Sequence, residues 1–140
     1  MGYQVSTRLP ELGQTLGEAL LAPHRSYLAA FEPLLERGKI RALAHITGGG
    51  FAGNIPRVLP AGLGARIRRG AWDVPPVFRL IQKGGGIPDD EMLRTFNMGV
   101  GMIAVVAPED LHDVEHSLER RGEAAFVIGT VVEGAGVAFE

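Results

Sequence analysis

Three consecutive glycines, Gly48-Gly49-Gly50, stand directly after the apolar stretch Ile40 to Ile46, and they limit what this chain can do at that point. Glycine offers no side chain to pack and loses the most freedom on ordering, so a glycine triplet ends a strand and leaves backbone open to close approach. Asn54-Ile55-Pro56-Arg57 follows at once, so the loop leads into a short helix around Phe51 to Val58. Amides at a helix N-terminus point outward without internal partners and favour an anion, most often a phosphate. Thr47 adds a hydroxyl to Gly48, Gly49 and Gly50, and Arg57 would supply the charge. For the glycines alone, a tight strand-to-helix connection without a ligand remains an equal reading.

The rest of the sequence reads as alternating helices and strands, an α/β (α+β) pattern. Thr15-Leu16-Gly17-Glu18 has the form of a capping box, which predicts a short helix ending before Pro23. A second helix is expected from Ala29 to Arg37, with Phe31, Leu34 and Leu35 on its buried face and Pro33 tolerated only in the first turn. Ile40 to Ile46 is then a buried strand, and Ala65 to Arg68 alternates as an exposed one. Pro75-Pro76 opens a helix with Val77, Leu80 and Ile81 inward, and Gly84-Gly85-Gly86 stops it and reads as a flexible connector. Asp89 to Thr95 is a further helix. Met102 to Ala107 reads as a strand buried on both faces, Pro108 starts a helix with Leu111, Val114 and Leu118 inward, and Ala125 to Val132 returns as a strand. That order predicts a right-handed crossover.

With 140 residues, of which 46% are hydrophobic and 21% charged, the chain can bury a core of its own. Twenty glycines are about twice the usual share, without any repeat to absorb them. The absence of cysteine excludes disulfides, thiolate nucleophiles and cysteine-ligated metals, and fits a reducing cytoplasm. No apolar run approaches the length of a membrane span, and Met1 to Arg8 lacks the form of a signal peptide. Residues 1 to 85 carry eleven basic and five acidic side chains, residues 86 to 140 three and eleven, so the front is +6 and the back −8. Phosphate chemistry in the front half agrees with this. Nucleic acid is not expected as a partner, because the two lysines and twelve arginines are scattered and not interleaved with aromatics.

His45 to Gly50, then Asn54, Arg57 and Pro60, together with Arg94-Thr95-Phe96-Asn97-Met98-Gly99-Val100-Gly101-Met102, closely resemble the C-terminal domain of phosphoribosylformylglycinamidine cyclo-ligase, or aminoimidazole ribonucleotide synthetase. The likeness runs over nearly the whole chain, from Leu16-Gly17-Glu18-Ala19-Leu20-Leu21 and Pro23 through Trp72 to Phe78 to Val127-Ile128-Gly129. It implies a layered mixed sheet with flanking helices, partly ferredoxin-like. It also implies that residues 1–140 are a single domain, the C-terminal half of a two-domain enzyme. The N-terminal domain that holds ATP and Mg2+, and a Gly/Ser/His/Asn loop, would precede Met1-Gly2. The implied reaction is an ATP-dependent ring closure of formylglycinamidine ribonucleotide to aminoimidazole ribonucleotide, with release of ADP and phosphate, by a cytoplasmic homodimer. A fragment without the ATP-binding domain is not expected to turn over alone.

On that resemblance, Thr47, Gly48, Gly49 and Gly50 hold a phosphate, Arg57 lies nearby, and His45, Asn54 and Asn97 orient the substrate, with His45 the candidate catalytic residue. From the residues alone His45 serves equally as a backbone hydrogen-bonding partner, and the two asparagines equally as caps. His112 and His116 have a metal-compatible spacing, but Asp113 stands where the zinc-protease pattern needs Glu, and no third ligand is evident. No metal site is expected in this chain. Relatives that activate other oxygens with ATP, the preceding amidotransferase and thiamine monophosphate kinases, remain alternatives, as does a non-catalytic phosphate-binding module.

Overall fold

The computed structural model describes residues 2–140; Met1 lies outside them. The chain opens with a minimal hairpin, β1 (Arg8–Leu9) and β2 (Gln14–Thr15), and runs into α1 (Leu16–Leu20). The capping box is present: Thr15 Oγ1 accepts from the Glu18 amide at 3.2 Å, and Glu18 Oε2 accepts from the Thr15 amide at 2.8 Å. That second bond is the main cause holding the Glu18 carboxyl below its ordinary pKa. α2 (Leu28–Glu36) precedes β3 (Ala42–His45), and the glycine loop leads to α3 (Gly50–Asn54) and a 3-10 turn, Ile55–Arg57. Then come β4 (Leu63–Ile67), α4 (Pro76–Gly85), α5 (Asp89–Thr95), β5 (Met102–Val105), α6 (Leu111–Glu119), β6 (Gly129–Glu133) and β7 (Val137–Phe139).

Two sheets organise these elements. β3 and β5 form an antiparallel ribbon in which His45 faces Met102 and Ala42 faces Val105, extended by the Ile46 amide donating to Gly101 O at 2.9 Å. β4 lies between β6, antiparallel, and β7, parallel, so this sheet is mixed. Period-2 alternation lets the ribbon serve two cores. Ala44, Ile46 and Ile103 join a larger cluster with Phe51, Ile55, Ala65, Ile67, Trp72, Met92, Leu93 and Met98. Leu43, Met102 and Ala104 join a smaller one, with Ala30, Phe31 and Leu34 of α2 and Val114 and Leu118 of α6.

Several local expectations change. Pro33 lies in the second turn of α2, not the first, and the helix continues because Ala30, Phe31 and Leu34 bury its inner face against α6. Leu35 points away and is 48% exposed. β4 is the central strand of its sheet, with Ala65 and Ile67 buried and Arg66 and Arg68 outward. β5 is half-buried throughout and ends at Val105, because a two-stranded ribbon leaves both its edges open. No crossover joins β5 to β6, since they belong to different sheets, and the last long strand begins at Gly129, after exposed Phe126 and Val127. Gly84-Gly85-Gly86 is a hydrogen-bonded helix stop: Gly86 adopts φ 60°, and the Gly86 and Ile87 amides both donate to Gln82 O.

Lys39 ties the two helices of the smaller cluster. Its Nζ lies 2.5 Å from Asp110 Oδ1 and 3.4 Å from Asp113 Oδ2, and the Asp110 hydrogen bond raises the ammonium above its ordinary pKa of 10.5. A raised folded-state value means that the contribution is complete below 10.5 and fades as pH rises through the higher folded value. Urea unfolding should therefore give wild type a higher midpoint than Lys39→Met near neutral pH, with the gap narrowing above 10.5. A gap that does not change with pH would refute the ion pair as its source.

Candidate functional site

The glycine loop is held by what flanks it. Ile46 before it is 1% exposed and Phe51 after it 0%, both in the larger cluster, while Thr47, Gly48 and Gly49 between them face solvent. Phe51 packs against Trp72, with ring centroids 5.5 Å apart, and edge-on to Phe139 at 5.7 Å. Gly49 adopts φ 92° and Gly50 φ 56°, so the turn uses the left-handed conformations open to glycine. A Cβ on Gly50 would collide with Leu93 O, whereas one on Gly48 would meet nothing within 4 Å. The loop thus needs its glycines for different reasons: Gly49 for dihedral angle, Gly50 for angle and space, and Gly48 for neither.

Asn54 is 5% exposed and sits beneath this turn. Its Nδ2 donates to Gly50 O at 2.7 Å, with Gly48 O at 3.4 Å and Thr47 O at 3.5 Å. Gly50 N donates to Thr47 O at 3.1 Å, closing the turn. With the loop carbonyls drawn inward, the Gly48 and Gly49 amides are left without backbone acceptors among the described residues. Such a loop can offer N–H groups to an anion. Arg57 is exposed on the 3-10 turn while Asn54 is buried, so the two do not share a face, and Arg57 has no ion-pair partner among the described residues.

The second string, Arg94 to Met102, meets the first in space. Gly50 backbone packs on the end of α5, and β5 pairs with β3. Between them Asn97 makes a tight turn, its Oδ1 accepting from Gly99 N at 3.0 Å. Met98 stands at φ 51°, the one non-glycine left-handed residue among those described. The Trp72 indole holds it, Nε1 donating to Met98 O at 3.0 Å in the core. A Cβ on Gly99 would collide with Pro75. Phe96 and Met98 pack in the larger cluster, and the Asn97 amide group remains at the surface of the turn.

His45 is exposed at the end of β3, and two residues that the sequence reading passed over stand beside it. The His24 and His45 ring centroids are 5.1 Å apart, and Tyr27 lies edge-on at 6.3 Å from each. Gly101 makes this possible, because a Cβ there would collide with the Tyr27 hydroxyl. The available signal was an aromatic residue closely following Pro23-His24, with a side-chain-free position in the facing strand. His112 and His116 form a separate pair on the exposed face of α6, with centroids 6.4 Å apart. Among the described residues, no three histidine, aspartate or glutamate side chains converge where they could hold a metal ion. No described helix is long and apolar enough to cross a membrane.

A small mixed α/β fold with a left-handed glycine turn at the end of its two-stranded ribbon defines the class. The family model of the AIR synthase related protein, C-terminal domain, matches residues 2–140, and the chain belongs to that family. It is 52% identical over 122 residues to phosphoribosylformylglycinamidine cyclo-ligase from Desulfitobacterium hafniense, covering 87% of this chain and 36% of that protein. The Thermoanaerobacter sp. cyclo-ligase is 48% identical over 134 residues, covering 96% and 40%. The chloroplastic/mitochondrial enzyme of that name from Vigna unguiculata is 49% identical over 140 residues, covering 99% and 35%. The chain therefore spans between about a third and two fifths of these relatives' length. Among solved structures, E. coli HypE, a hydrogenase maturation protein, shares the fold with a TM-score of 0.63 at 23% identity, over 89% of this chain and 41% of that one.

The loop geometry separates the glycines experimentally. Gly50→Ala should lower stability by about 2 kcal/mol or more through overpacking and the left-handed backbone, whereas Gly48→Ala should stay within about 0.5 kcal/mol of wild type. Asn54→Leu, which strands the carbonyls it serves, should cost about 1–3 kcal/mol. Urea denaturation measures all three, and equal effects at Gly48 and Gly50 would contradict the described turn.

Proposed function

We propose that this chain is the C-terminal half of a two-domain phosphoribosylformylglycinamidine cyclo-ligase and supplies one wall of its substrate cleft. Supporting this is the packing of the two strings of the cyclo-ligase resemblance against each other, Gly50 on the end of α5 and β3 on β5, in a chain about half identical to enzymes of that name. In this reading the full enzyme takes formylglycinamidine ribonucleotide and ATP. ATP phosphorylates the amide oxygen, a ring nitrogen-to-be attacks the activated carbon, and phosphate leaves as the imidazole closes, giving aminoimidazole ribonucleotide and ADP. Such a reaction asks for positioning and charge stabilisation more than for a protein nucleophile.

Thr47, Gly48 and Gly49 would bind phosphate oxygens through amides and a hydroxyl, with Gly50 fixing the turn and Arg57 adding positive charge at its rim. Asn54 acts as a positioning residue, since its amide is committed to the loop's carbonyls. Asn97 and His45 would orient the substrate. On the family resemblance, ATP and Mg2+ would be held mainly by the preceding domain of the enzyme.

Replacing the matching segment of the Desulfitobacterium hafniense cyclo-ligase with this chain tests the proposal. The chimera should form aminoimidazole ribonucleotide from formylglycinamidine ribonucleotide and ATP, and the chain alone should not. Gly48→Val in the chimera should lower kcat/KM by at least tenfold, about 1.4 kcal/mol of transition-state stabilisation, without changing its unfolding midpoint. A folded chimera without turnover, or unchanged turnover in Gly48→Val, would overturn the assignment.

A further inference from the structure

We propose that His24, Tyr27 and His45 form a stacking wall for the planar, nitrogen-rich part of the ribonucleotide whose phosphate the glycine loop holds. The inference rests on the phosphate reading of that loop. The three rings come from different places, His24 and Tyr27 from the entry to α2 and His45 from the end of β3, and they converge two residues before Thr47. The Gly48 and Gly49 amides lie three and four residues beyond His45, at most about 10–13 Å of extended chain, so the wall and the loop amides lie within reach of one ribonucleotide.

Packing explains only part of the cluster: Tyr27 lies against the smaller hydrophobic cluster, whereas nothing described accounts for the two exposed histidines beside it. His24 and His45 are exposed and Tyr27 half-buried, and none of the three side chains makes a hydrogen bond among the described residues. Tyr27 nevertheless has a seat kept for it, because its hydroxyl occupies the volume that any side chain at position 101 would fill. Tyr27 is thereby fixed edge-on to both imidazoles, and the histidines, too close at 5.1 Å to admit a ring between them, present their outer faces. A planar amidine or imidazole stacks on such faces, whereas a bare sugar phosphate has nothing to place there. The wall would therefore select for the base end of the ligand and leave phosphate affinity to the loop.

NMR titration of this chain with aminoimidazole ribonucleotide and, separately, with ribose 5-phosphate tests this. Both probes should move the Gly48 and Gly49 amides, and the ribonucleotide alone should move the His24 and His45 ring signals. Stacking on one aromatic surface corresponds to about tenfold in affinity or more. His24→Ala and Tyr27→Leu should each weaken the ribonucleotide by about that factor and leave ribose 5-phosphate unchanged, and Tyr27→Phe should restore the ribonucleotide. Moving amides with silent rings, or an equal loss for both probes in His24→Ala, would overturn the wall and leave the loop reading standing. Moving rings with silent amides would overturn the loop reading while the wall stood. Silence at both would overturn both.

Discussion

Burial of Ile46 and Phe51 on either side of an exposed tripeptide is the constraint from which the rest of this site follows. Two side chains locked in one apolar cluster fix where the backbone leaves the core and where it returns. The backbone spans the gap through left-handed conformations at Gly49 and Gly50. The turn then has carbonyls and amides to dispose of, and Asn54 takes the carbonyls. The outward amides are thus a by-product of packing beneath them. A polar feature at the surface is in this sense set by the hydrophobic interior.

The β3–β5 ribbon carries that constraint across the molecule. A two-stranded ribbon alone is marginal in water, so this one depends on both of its faces being covered. One face meets the cluster that seats the glycine loop, and the other meets α2 and α6. Because Tyr27 belongs to the second cluster and reaches Gly101 on the ribbon, the packing of α2 bears on the environment of His45. Two cores that share no buried residue are coupled through the strand pair between them.

The sequence made the punctuation legible and the pairing much less so. Thr15 and Glu18, the glycine triplet and the Pro75-Pro76 helix start are local signals with local causes, and each is found where the residues indicate. The meeting of the two family-like strings followed only from the resemblance, since nothing in residues 45 to 57 names 94 to 102 as neighbours. Strand partners were misread for the same reason. Period-2 alternation in Ala65 to Arg68 shows that one face is buried, but not that a strand lies on each edge, and Met102 to Ala107 looks alike in a crossover and in a hairpin-like ribbon. Pro33 and Leu35 went astray because the contacts of α2 with α6 outweigh helix propensity. His24 and Tyr27 stayed hidden because their relation to His45 exists only after α2 docks.

The bond from Trp72 to the Met98 carbonyl gives the protein an optical property of its own. Trp72 is the single tryptophan of the chain, so all indole emission comes from one buried ring. That ring touches Phe51 on one side and is tethered to the turn of Asn97 on the other. Any displacement of either turn changes the polarity and hydrogen bonding around the indole. The molecule therefore carries an intrinsic fluorescent reporter at the junction of its two family-like strings, readable without a label.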